Sequence, residues 1–265
     1  MTLLVVHPHP DDESILTAGL MLRAHQEGRR VVLVTAPRGE EGEWHGRDGA
    51  AGGGALAEVR SRELAQACRL LGVDRQVHLG FRDSGMRAQA AAPRAFSAVP
   101  LAEAAAPIAA LLREERPDLV VTATPDGTYG HPDHIRAHDA TMAALEQLRS
   151  EGWQPSTVAM VAFPHGVAAL LVQGLLALGL LPSTWLLREA SGTELAGTVT
   201  RFLVLRDLVP RKREAILAHR SQLHGTLAVL LRVAPLCRLV LGVERYAVAG
   251  CTADERAVRS LSAYA

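Results

Sequence analysis

Short apolar runs alternate with longer helix-like segments through the first 150 residues, and this alternation limits the folds that the chain can adopt. The apolar runs predict buried strands at 3–6, 30–36 and 118–122, and a further short strand is predicted at 76–79. Helix-like segments follow them at 14–27, 56–71, 101–113 and 132–149. Strands that alternate with helices form parallel sheets with crossover helices. We therefore predict an α/β fold built on a Rossmann-like, doubly wound, mostly parallel sheet.

The alternation becomes less regular after about residue 155. We predict a Rossmann-like core at 1–150 and, at 151–265, a C-terminal part of the same domain. With 265 residues, 48% of them hydrophobic, the chain is long enough to bury a sizeable core. Ligands bind beyond the carboxyl ends of the strands in sheets of this kind. The C-terminal part is therefore expected to complete a pocket there, or to form a lid or an interface.

Two apolar segments in the second half leave several interpretations open. The segment 167–187 contains no charged residue, and it is long enough to span a membrane as a helix. Gln173 and Pro182 disfavour a span, so we expect a buried or interface helix followed by a strand. The segment 226–243 is similarly apolar but contains charged residues. A lid, a peripheral membrane contact and a homo-oligomer interface all remain open for both segments.

Charge and cysteine usage exclude several classes of protein. The formal net charge is zero and only 4% of residues are aromatic, so we expect no nucleic-acid partner. Cys68, Cys237 and Cys251 have no zinc-binding spacing and are expected to be buried or incidental thiols. The chain starts with a strand-like segment instead of a basic and apolar leader. We therefore expect a cytoplasmic protein.

Two histidine-proline elements follow predicted strands. The sequence HPDD at 9–12 comes after the first strand, and HPDH at 131–134 comes after the strand at 118–122. Proline favours the first position of a helix, which predicts His9 and His131 as the N-cap residues of two helices. Both corners should lie at the same edge of a parallel sheet. Their polar side chains should therefore converge.

The converging side chains have the composition of a metal site. Two nitrogens and one carboxylate suit a divalent transition metal, above all Zn²⁺ with an open fourth position. The residues alone do not decide between Asp11 and Asp12. Nor do they decide among five histidines, which are His7, His9, His131, His134 and His138.

The two corners together resemble a known family. HPDDE at 9–13 and GHPDH at 130–134, each behind a strand, are similar to the motifs of the PIG-L/LmbE-type zinc-dependent N-acetylglucosamine deacetylases. GEEGE at 39–43, RSREL at 60–64 and RDSGM at 82–86 resemble the mycothiol-pathway branch, which acts on N-acetylglucosaminyl-inositol. The similarity covers about residues 1–140. It implies that 1–150 is a catalytic core and that the substrate is a small N-acetylated glycoside.

The resemblance also implies a role for each site residue. It implies three metal ligands, which are His9, Asp12 and His134, with Zn²⁺ or Fe²⁺ as the metal. It implies three residues that act on the amide: Asp11 as general base, His131 as the group that stabilises the oxyanion and assists the leaving amine, and Tyr129 as the group that polarises the carbonyl. Two further residues, Arg60 and Asp83, are implied to hold the sugar and its neighbour.

Asp133 and the remaining histidines are expected to lie outside the catalytic and ligand set. His7 is expected at a strand end, and Asp133 is expected to hydrogen-bond a histidine and fix its tautomer. We expect His138 on a solvated helix face. The other histidines outside the motifs are treated as surface or unassigned residues: His45, His165, His219 and His224.

The leading hypothesis is a zinc-dependent hydrolase that removes acetyl from a GlcNAc-inositol-like conjugate. A second enzyme hypothesis is an amidase for a thiol conjugate, or a deacetylase for a sugar-bearing lipophilic secondary metabolite, since the second half is apolar. A third hypothesis is a non-catalytic metal- or sugar-binding protein. The presence of Asp11 disfavours that class, because a binding protein needs no base beside its ligands.

Overall fold

The computed structural model describes residues 1–45, 53–86, 94–162, 171, 174–175, 177–180 and 199–249. Seven strands are described: β1 (Thr2–His7), β2 (Arg30–Thr35), β3 (Arg75–His78), β4 (Leu119–Ala123), β5 (Thr157–Val161), β6 (Val199–Val204) and β7 (Val243–Ala249). The described helices include α1 (Ala18–Gln26), α2 (Gly53–Leu71), α3 (Leu101–Glu115), α4 (Gly127–Gly130, irregular), α5 (Pro132–Ser150), α6 (Val209–Ala218), α7 (Gly225–Leu230) and α8 (Ala234–Leu241). A π-helical turn (Glu13–Thr17) precedes α1, and a 3₁₀ turn (Arg220–Gln222) follows α6.

The seven strands form one mixed sheet with the order β3-β2-β1-β4-β5-β7-β6. The first five are parallel, and their register places Leu4 beside Val32 on one side and Val120 on the other. At the other end of the sheet, β7 pairs antiparallel with β5, and β6 pairs antiparallel with β7. The predicted α/β fold with a mostly parallel sheet is therefore confirmed, and the four predicted strands lie within one or two residues of β1 to β4.

Helices cover both faces of the sheet, which explains why its central strands are apolar throughout. Successive side chains of a strand point to opposite faces. Leu3 and Val5 of β1 belong to a core cluster with residues of α1, α2 and α6. Leu4 and Val6 belong to a second cluster with residues of α3 and α5. The two cores hold the ends of the central strands in fixed positions.

The chain reverses its direction across the sheet between β1 and β4. From β1 the order proceeds outward through β2 and β3, and α3 then returns the chain to β4 on the other side of β1. A crevice opens at such a switch point beyond the carboxyl ends of the two strands. Both histidine-proline corners follow these two strands, so the topology places them together.

The second corner has the predicted geometry. His131 is the N-cap of α5 and Pro132 occupies the start of the helix. The His131 Nδ1 accepts a hydrogen bond from the backbone N–H of Asp133 at 3.1 Å. This bond satisfies one of the free amides at the helix start.

The first corner differs, and the prediction that His9 is an N-cap with Pro10 at the first helical position is wrong. Asp11 has a φ of 101°, outside the helical region, and the π-helical turn begins only at Glu13. Two carboxylates further along the chain accept hydrogen bonds from backbone amides that precede this turn. The backbone N–H of His9 donates to Asp12 Oδ2 at 3.0 Å, and that of Asp11 donates to Glu13 Oε2 at 2.8 Å. These bonds turn the backbone before a helix can start.

A buried carboxylate on β7 anchors α1. Glu244 accepts hydrogen bonds from the backbone N–H groups of Gly19 and Leu20 at 2.7 and 3.0 Å. It also accepts from Tyr246 Oη and Lys212 Nζ, both at 2.7 Å. Free amides at a helix start need such partners when they are buried. The carboxylate therefore joins α1, α6 and β7 through one group.

Removal of the cation from this cluster should destabilise the fold. We expect Lys212→Met to lower the free energy of unfolding by about 3–5 kcal/mol, because it leaves the buried Glu244 charge without its counter-ion. A matched control is Arg149→Met, which breaks an exposed ion pair with Glu146 and should change it by about 0–1 kcal/mol. Urea unfolding measures both. Equal losses in the two variants would contradict the structural role of the buried pair.

The apolar segments of the second half are described only in part. Most of 167–187 lies outside the described residues, so the buried or interface helix and the strand expected there stay a prediction. Within the described parts of the chain, no helix combines the length and apolarity needed to cross a bilayer. The segment 226–243 contains most of α7, all of α8 and the start of β7, and it exposes Val229, Val233, Leu236 and Val240. Cys68 and Cys237 are buried as expected, and Cys251 lies outside the described residues.

Candidate active site

Three predicted ligands converge where the two corners meet. His9 and Asp12 lie after β1, and His134 lies in the first turn of α5. Asp12 Oδ2 is 3.7 Å from His9 Nδ1 and 3.4 Å from His134 Nε2. Ligands at about 2.0–2.2 Å from a tetrahedral Zn²⁺ lie about 3.3–3.6 Å from one another. One donor atom from each residue lies within 4.8 Å of the others, so these residues fit a metal ion of that size.

A second trio, His9, His131 and Asp133, also satisfies this distance criterion. Here His9 uses its other ring nitrogen, since Nε2 lies 3.3 Å from Asp133 Oδ2. The same carboxylate oxygen accepts the backbone N–H of Ser84 at 3.0 Å. A carboxylate that binds the far nitrogen of a ligating histidine is the usual outer partner of a metal site. Asp133 therefore has the expected position for fixing the tautomer of His9, and the first trio is the better candidate for the ligands.

Charge coupling within the first trio is strong. Burial alone would raise the pKa of Asp12, but the neighbouring His134 and His9 hold that pKa far below its ordinary value. Burial alone would lower the pKa of His9, yet its hydrogen bonds to Asp12 and Asp133 raise it well above the ordinary value. Burial lowers the pKa of His134 to about 4. An anionic oxygen and a neutral imidazole bind a metal, so Asp12 and His134 are in the required states, whereas His9 would release a proton on metal binding.

Asp11 lies beside this cluster but outside its ligand set. Its Oδ2 is 3.3 Å from Arg60 Nη2, and its side chain is 23% exposed. Burial raises the pKa of Asp11 to about 6, although the Arg60 charge opposes the shift. A carboxylate with a raised pKa is suited to accepting a proton near neutral pH. The pKa values of the adjacent Asp11 and Asp12 are therefore shifted in opposite directions.

Tyr129 and His131 border the cluster on the other side. Tyr129 Oη lies 3.3 Å from His134 Nε2, although the residue as a whole is 60% exposed. Thr128, immediately before it, has a φ of 73°, which is strained for a β-branched residue. The His131 ring lies with its centroid 4.7 Å from that of His9. Burial lowers the pKa of His131, which favours its neutral form.

Arg60 and Asp83 are buried against the same cluster. Arg60 donates hydrogen bonds to the carbonyl oxygens of Gly39 and Pro10 at 3.0 and 2.5 Å. Asp83 Oδ1 accepts the backbone N–H of Gly85 at 2.8 Å and lies 3.6 Å from His9 Nε2. Both side chains therefore have partners in the protein. Both also line the pocket into which the cluster opens, as a substrate-binding role requires.

The cluster opens into a pocket of about 410 Å³. The pocket is lined by seven of the eight predicted site residues, which are His9, Asp11, Asp12, Arg60, Asp83, Tyr129 and His131, together with residues of two other segments. The first of these segments contains Glu41, Glu43 and His45. The second contains Gln222 and His224.

Comparison with known families identifies the chain. The profile of PIG-L, described as GlcNAc-PI de-N-acetylase, matches residues 4–145. This range is more than half of the chain and contains both histidine-proline corners. The chain belongs to the PIG-L family. The resemblance that its motifs indicated is therefore confirmed.

The matches to individual relatives are longer than the range that the PIG-L profile matches. A protein of Salinispora arenicola named 1D-myo-inositol 2-acetamido-2-deoxy-alpha-D-glucopyranoside deacetylase is 46% identical over 175 residues, which cover 62% of this chain and 57% of that protein. A protein of the same name from Rhodococcus jostii is 39% identical over 238 residues, 83% of this chain and 81% of that protein. The match thus spans little more than half of the first relative and four fifths of the second.

Among solved structures, N,N'-diacetylchitobiose deacetylase from Pyrococcus horikoshii has the same fold. The TM-score is 0.63 at 21% identity, and the superposition covers 95% of this chain and 88% of that one. This similarity extends through the C-terminal part of the chain, where the PIG-L profile no longer matches. The fold therefore continues beyond the family motifs.

Pocket residues from the C-terminal part were not predicted from the sequence. The His45 ring stacks on the His224 ring with centroids 3.7 Å apart. The backbone N–H of His45 donates to the Ser221 carbonyl at 3.0 Å, and Gln222 Nε2 donates to the Glu43 carbonyl at 3.2 Å. A loop after β2 and the turn after α6 thus form one wall of the pocket. Glu43 ends the GEEGE segment at 39–43, but the turn after α6 carries no family motif, so no local signal indicated that the two segments would meet.

The expectation that His138 is solvated is wrong, and His219, which was treated as a surface or unassigned residue, is also buried. His138 is buried, not solvated, because its Nδ1 bonds the Ala123 carbonyl oxygen at 2.9 Å. His219 is buried rather than at the surface, and its Nε2 lies 2.7 Å from Glu13 Oε1. His7 is at the end of β1 as expected, with Nε2 2.9 Å from Thr17 Oγ1. His165 lies outside the described residues.

Proposed function

We propose that the chain hydrolyses the N-acetyl amide of a GlcNAc-type conjugate, with a GlcNAc-inositol-like compound as substrate. The products are acetate and the free amino sugar. The observation that supports this most directly is the convergence of His9, Asp12 and His134 beside an additional carboxylate, Asp11, in one pocket. The names of the relatives from Salinispora and Rhodococcus describe the same reaction.

The donor set suits a catalytic Zn²⁺ site. His9, Asp12 and His134 supply two imidazole nitrogens and one carboxylate oxygen, and three protein ligands leave a fourth position open. Fe²⁺ or another divalent transition metal suits the same donors. When bound, such a metal supplies Lewis acidity and makes a water molecule more acidic. Asp133 holds the His9 ring in the orientation that directs Nδ1 toward Asp12.

Asp11 acts as the general base in this proposal. Its pKa of about 6 allows it to be ionised at neutral pH and still accept a proton. The Arg60 guanidinium, 3.3 Å away, favours the ionised form before the reaction. Because Asp11 is partly exposed to the pocket, its carboxylate can reach a water molecule there.

His131 and Tyr129 act on the amide itself. The Nδ1 of His131 accepts a hydrogen bond from the Asp133 amide, so Nε2 carries the proton in the neutral ring. We propose that this N–H stabilises the developing oxyanion and assists departure of the amine, which receives the proton that Asp11 takes from water. The Tyr129 hydroxyl, beside His134, polarises the carbonyl by donating a hydrogen bond. Both residues line the pocket.

The pocket lining favours a polar substrate over a lipophilic one. Met86 is the only aliphatic side chain among the described lining residues, and the others are charged, polar, aromatic or glycine. Sugar hydroxyls need donors and acceptors of this kind. Arg60 and Asp83 are proposed to hold the sugar, and Gln222 and His224, which line the same pocket, are proposed to contact the inositol-like part.

Release of the free amine from a panel of conjugates tests the function, because hydrolysis of each candidate amide yields an amino sugar whereas only an N-acetyl amide yields acetate. The metal-reconstituted protein is assayed with GlcNAc-inositol, a thiol conjugate of glucosaminyl-inositol and a lipophilic N-acetylated glycoside. We expect kcat/KM to be at least about tenfold higher for GlcNAc-inositol, because unpaired polar groups in the pocket disfavour an apolar substituent. A preference for the lipophilic glycoside or the thiol conjugate would support those alternatives. A filled metal site with no turnover of any N-acetyl sugar would favour a binding protein.

A further inference from the structure

Glu13 and His219 form a buried pair that none of the proposed catalytic steps uses. His219 Nε2 lies 2.7 Å from Glu13 Oε1, and the two residues are 1% and 0% exposed. Burial alone would lower the pKa of His219, but the Glu13 charge raises it above its ordinary value. The bond is therefore charge-assisted, which makes it short and strong. It joins the first corner to the residue that follows α6.

The second oxygen of Glu13 binds the backbone of Asp11. The N–H of Asp11 donates to Glu13 Oε2 at 2.8 Å. Asp11 has a φ of 101°, a conformation that residues with a side chain rarely adopt. A strained backbone of this kind persists only where its surroundings fix it, and it is common at active sites. The Glu13 carboxylate supplies one such fixed contact.

His219 in turn fixes the Glu13 carboxylate. Ser14 Oγ also donates to Oε1, but Ser14 is the next residue in the chain and moves with Glu13. Among the residues that the structure describes, His219 is the one partner of this carboxylate that comes from a distant element, 206 residues away. A small cavity bordered by Asp11, Ser14 and His219 lies beside the pair. Without the imidazole, the carboxylate would have room to turn away from the Asp11 amide.

We propose that His219 is a positioning residue for the reaction, because through Glu13 it holds the strained backbone of Asp11 so that the Asp11 carboxylate faces the pocket. The proposal rests on the proposed function, which makes Asp11 the base. His219 does not line the pocket that contains the candidate ligands. Its effect should therefore fall on the chemical step and leave substrate binding unchanged.

Two substitutions at this position distinguish positioning from packing. His219→Gln keeps an N–H donor near the place of Nε2, whereas His219→Leu removes it at similar volume. We expect kcat for acetate release to fall by about 30- to 100-fold in His219→Leu, because ångström-scale displacement of a reacting group costs about 10²-fold. His219→Gln should retain kcat within about fivefold. KM and the metal content of each variant should stay within about twofold of the original values.

His138→Leu is the matched control. His138 is also a buried histidine, and its ring nitrogen bonds the Ala123 carbonyl at the end of β4 instead of a group of the first corner. Its kcat should change by less than about threefold. If His219→Leu does not fold, His219→Asn replaces it, since the shorter amide cannot reach Glu13.

Amide hydrogen exchange at Asp11 tests the link without any substrate. We expect the Asp11 N–H to exchange at least about tenfold faster in His219→Leu than in the unmodified protein, and to stay protected in His219→Gln and His138→Leu. Unchanged exchange in His219→Leu would overturn the proposal, whether or not the protein releases acetate. Equal losses of kcat in the Gln and Leu variants, or a loss of metal that matches the loss of kcat, would also overturn it. Absence of turnover in the unmodified protein would instead refute the proposed function.

Discussion

Asp11→Asn is expected to retain the metal and to lose most of its turnover, with kcat for acetate release lower by about 10²–10⁴-fold. The amide has the size of the carboxylate but cannot accept a proton from water. Asp11 lies outside the candidate ligand trio, so metal affinity should not depend on its charge. The backbone N–H of Asp11, which donates to Glu13, is unaffected by the substitution.

The Asp11→Asn experiment combines kinetics with metal analysis of the same sample. Asp118→Asn is a matched control, since Asp118 accepts the backbone N–H of Thr2 at 2.7 Å at the start of β1, away from the site. An asparagine oxygen can accept that bond, and kcat should stay within about twofold. Near-normal turnover in Asp11→Asn would show that another group removes the proton.

Asp12→Ala is expected to lose the metal. We expect the metal dissociation constant to rise by at least about 100-fold, because even residues that only hydrogen-bond a ligand contribute about 10–100-fold to affinity. Asp12 Oδ2 lies between His9 and His134, so the substitution removes the anionic member of the site. It also removes the acceptor for the His9 backbone N–H, which fixes the loop after β1.

Competition with a chromogenic chelator measures the metal affinity of Asp12→Ala, with Asp11→Asn as the comparison. The two variants change adjacent aspartates in one motif, and only one should lose the metal. His134→Ala should behave as Asp12→Ala does, since both remove a proposed ligand. If Asp11→Asn lost the metal and Asp12→Ala kept it, the roles assigned to the two aspartates would be reversed.

Much of the fold could be predicted because it depends on local patterns. The apolar runs that became β1, β2 and β4 are buried on both faces, and such strands have a clear sequence signature. The edge strand β3 is only partly buried. The second corner was predictable for the same reason: His131 and Pro132 satisfy the helix start with their own atoms. Parallel connectivity then placed the two corners together at the sheet edge without any contact information.

The first corner could not be predicted because distant residues determine its backbone. Asp11 leaves the helical region where Glu13 binds its amide, and Glu13 is held by His219. Glu244 provides the same kind of contact to the start of α1. No periodicity or motif indicates which of 11 histidines will contact a given carboxylate after folding. The pocket wall at His45 and His224 was missed for the same reason.

Metal-dependent acetate release from GlcNAc-inositol tests the central claim most directly. One protein sample is assayed after chelation, after dialysis against metal-free buffer, and after addition of one equivalent of Zn²⁺ or Fe²⁺. We expect turnover to fall by at least about 100-fold on chelation and to return with one equivalent of metal, because three protein ligands form a single site. Full turnover by metal-free protein would contradict the proposed chemistry.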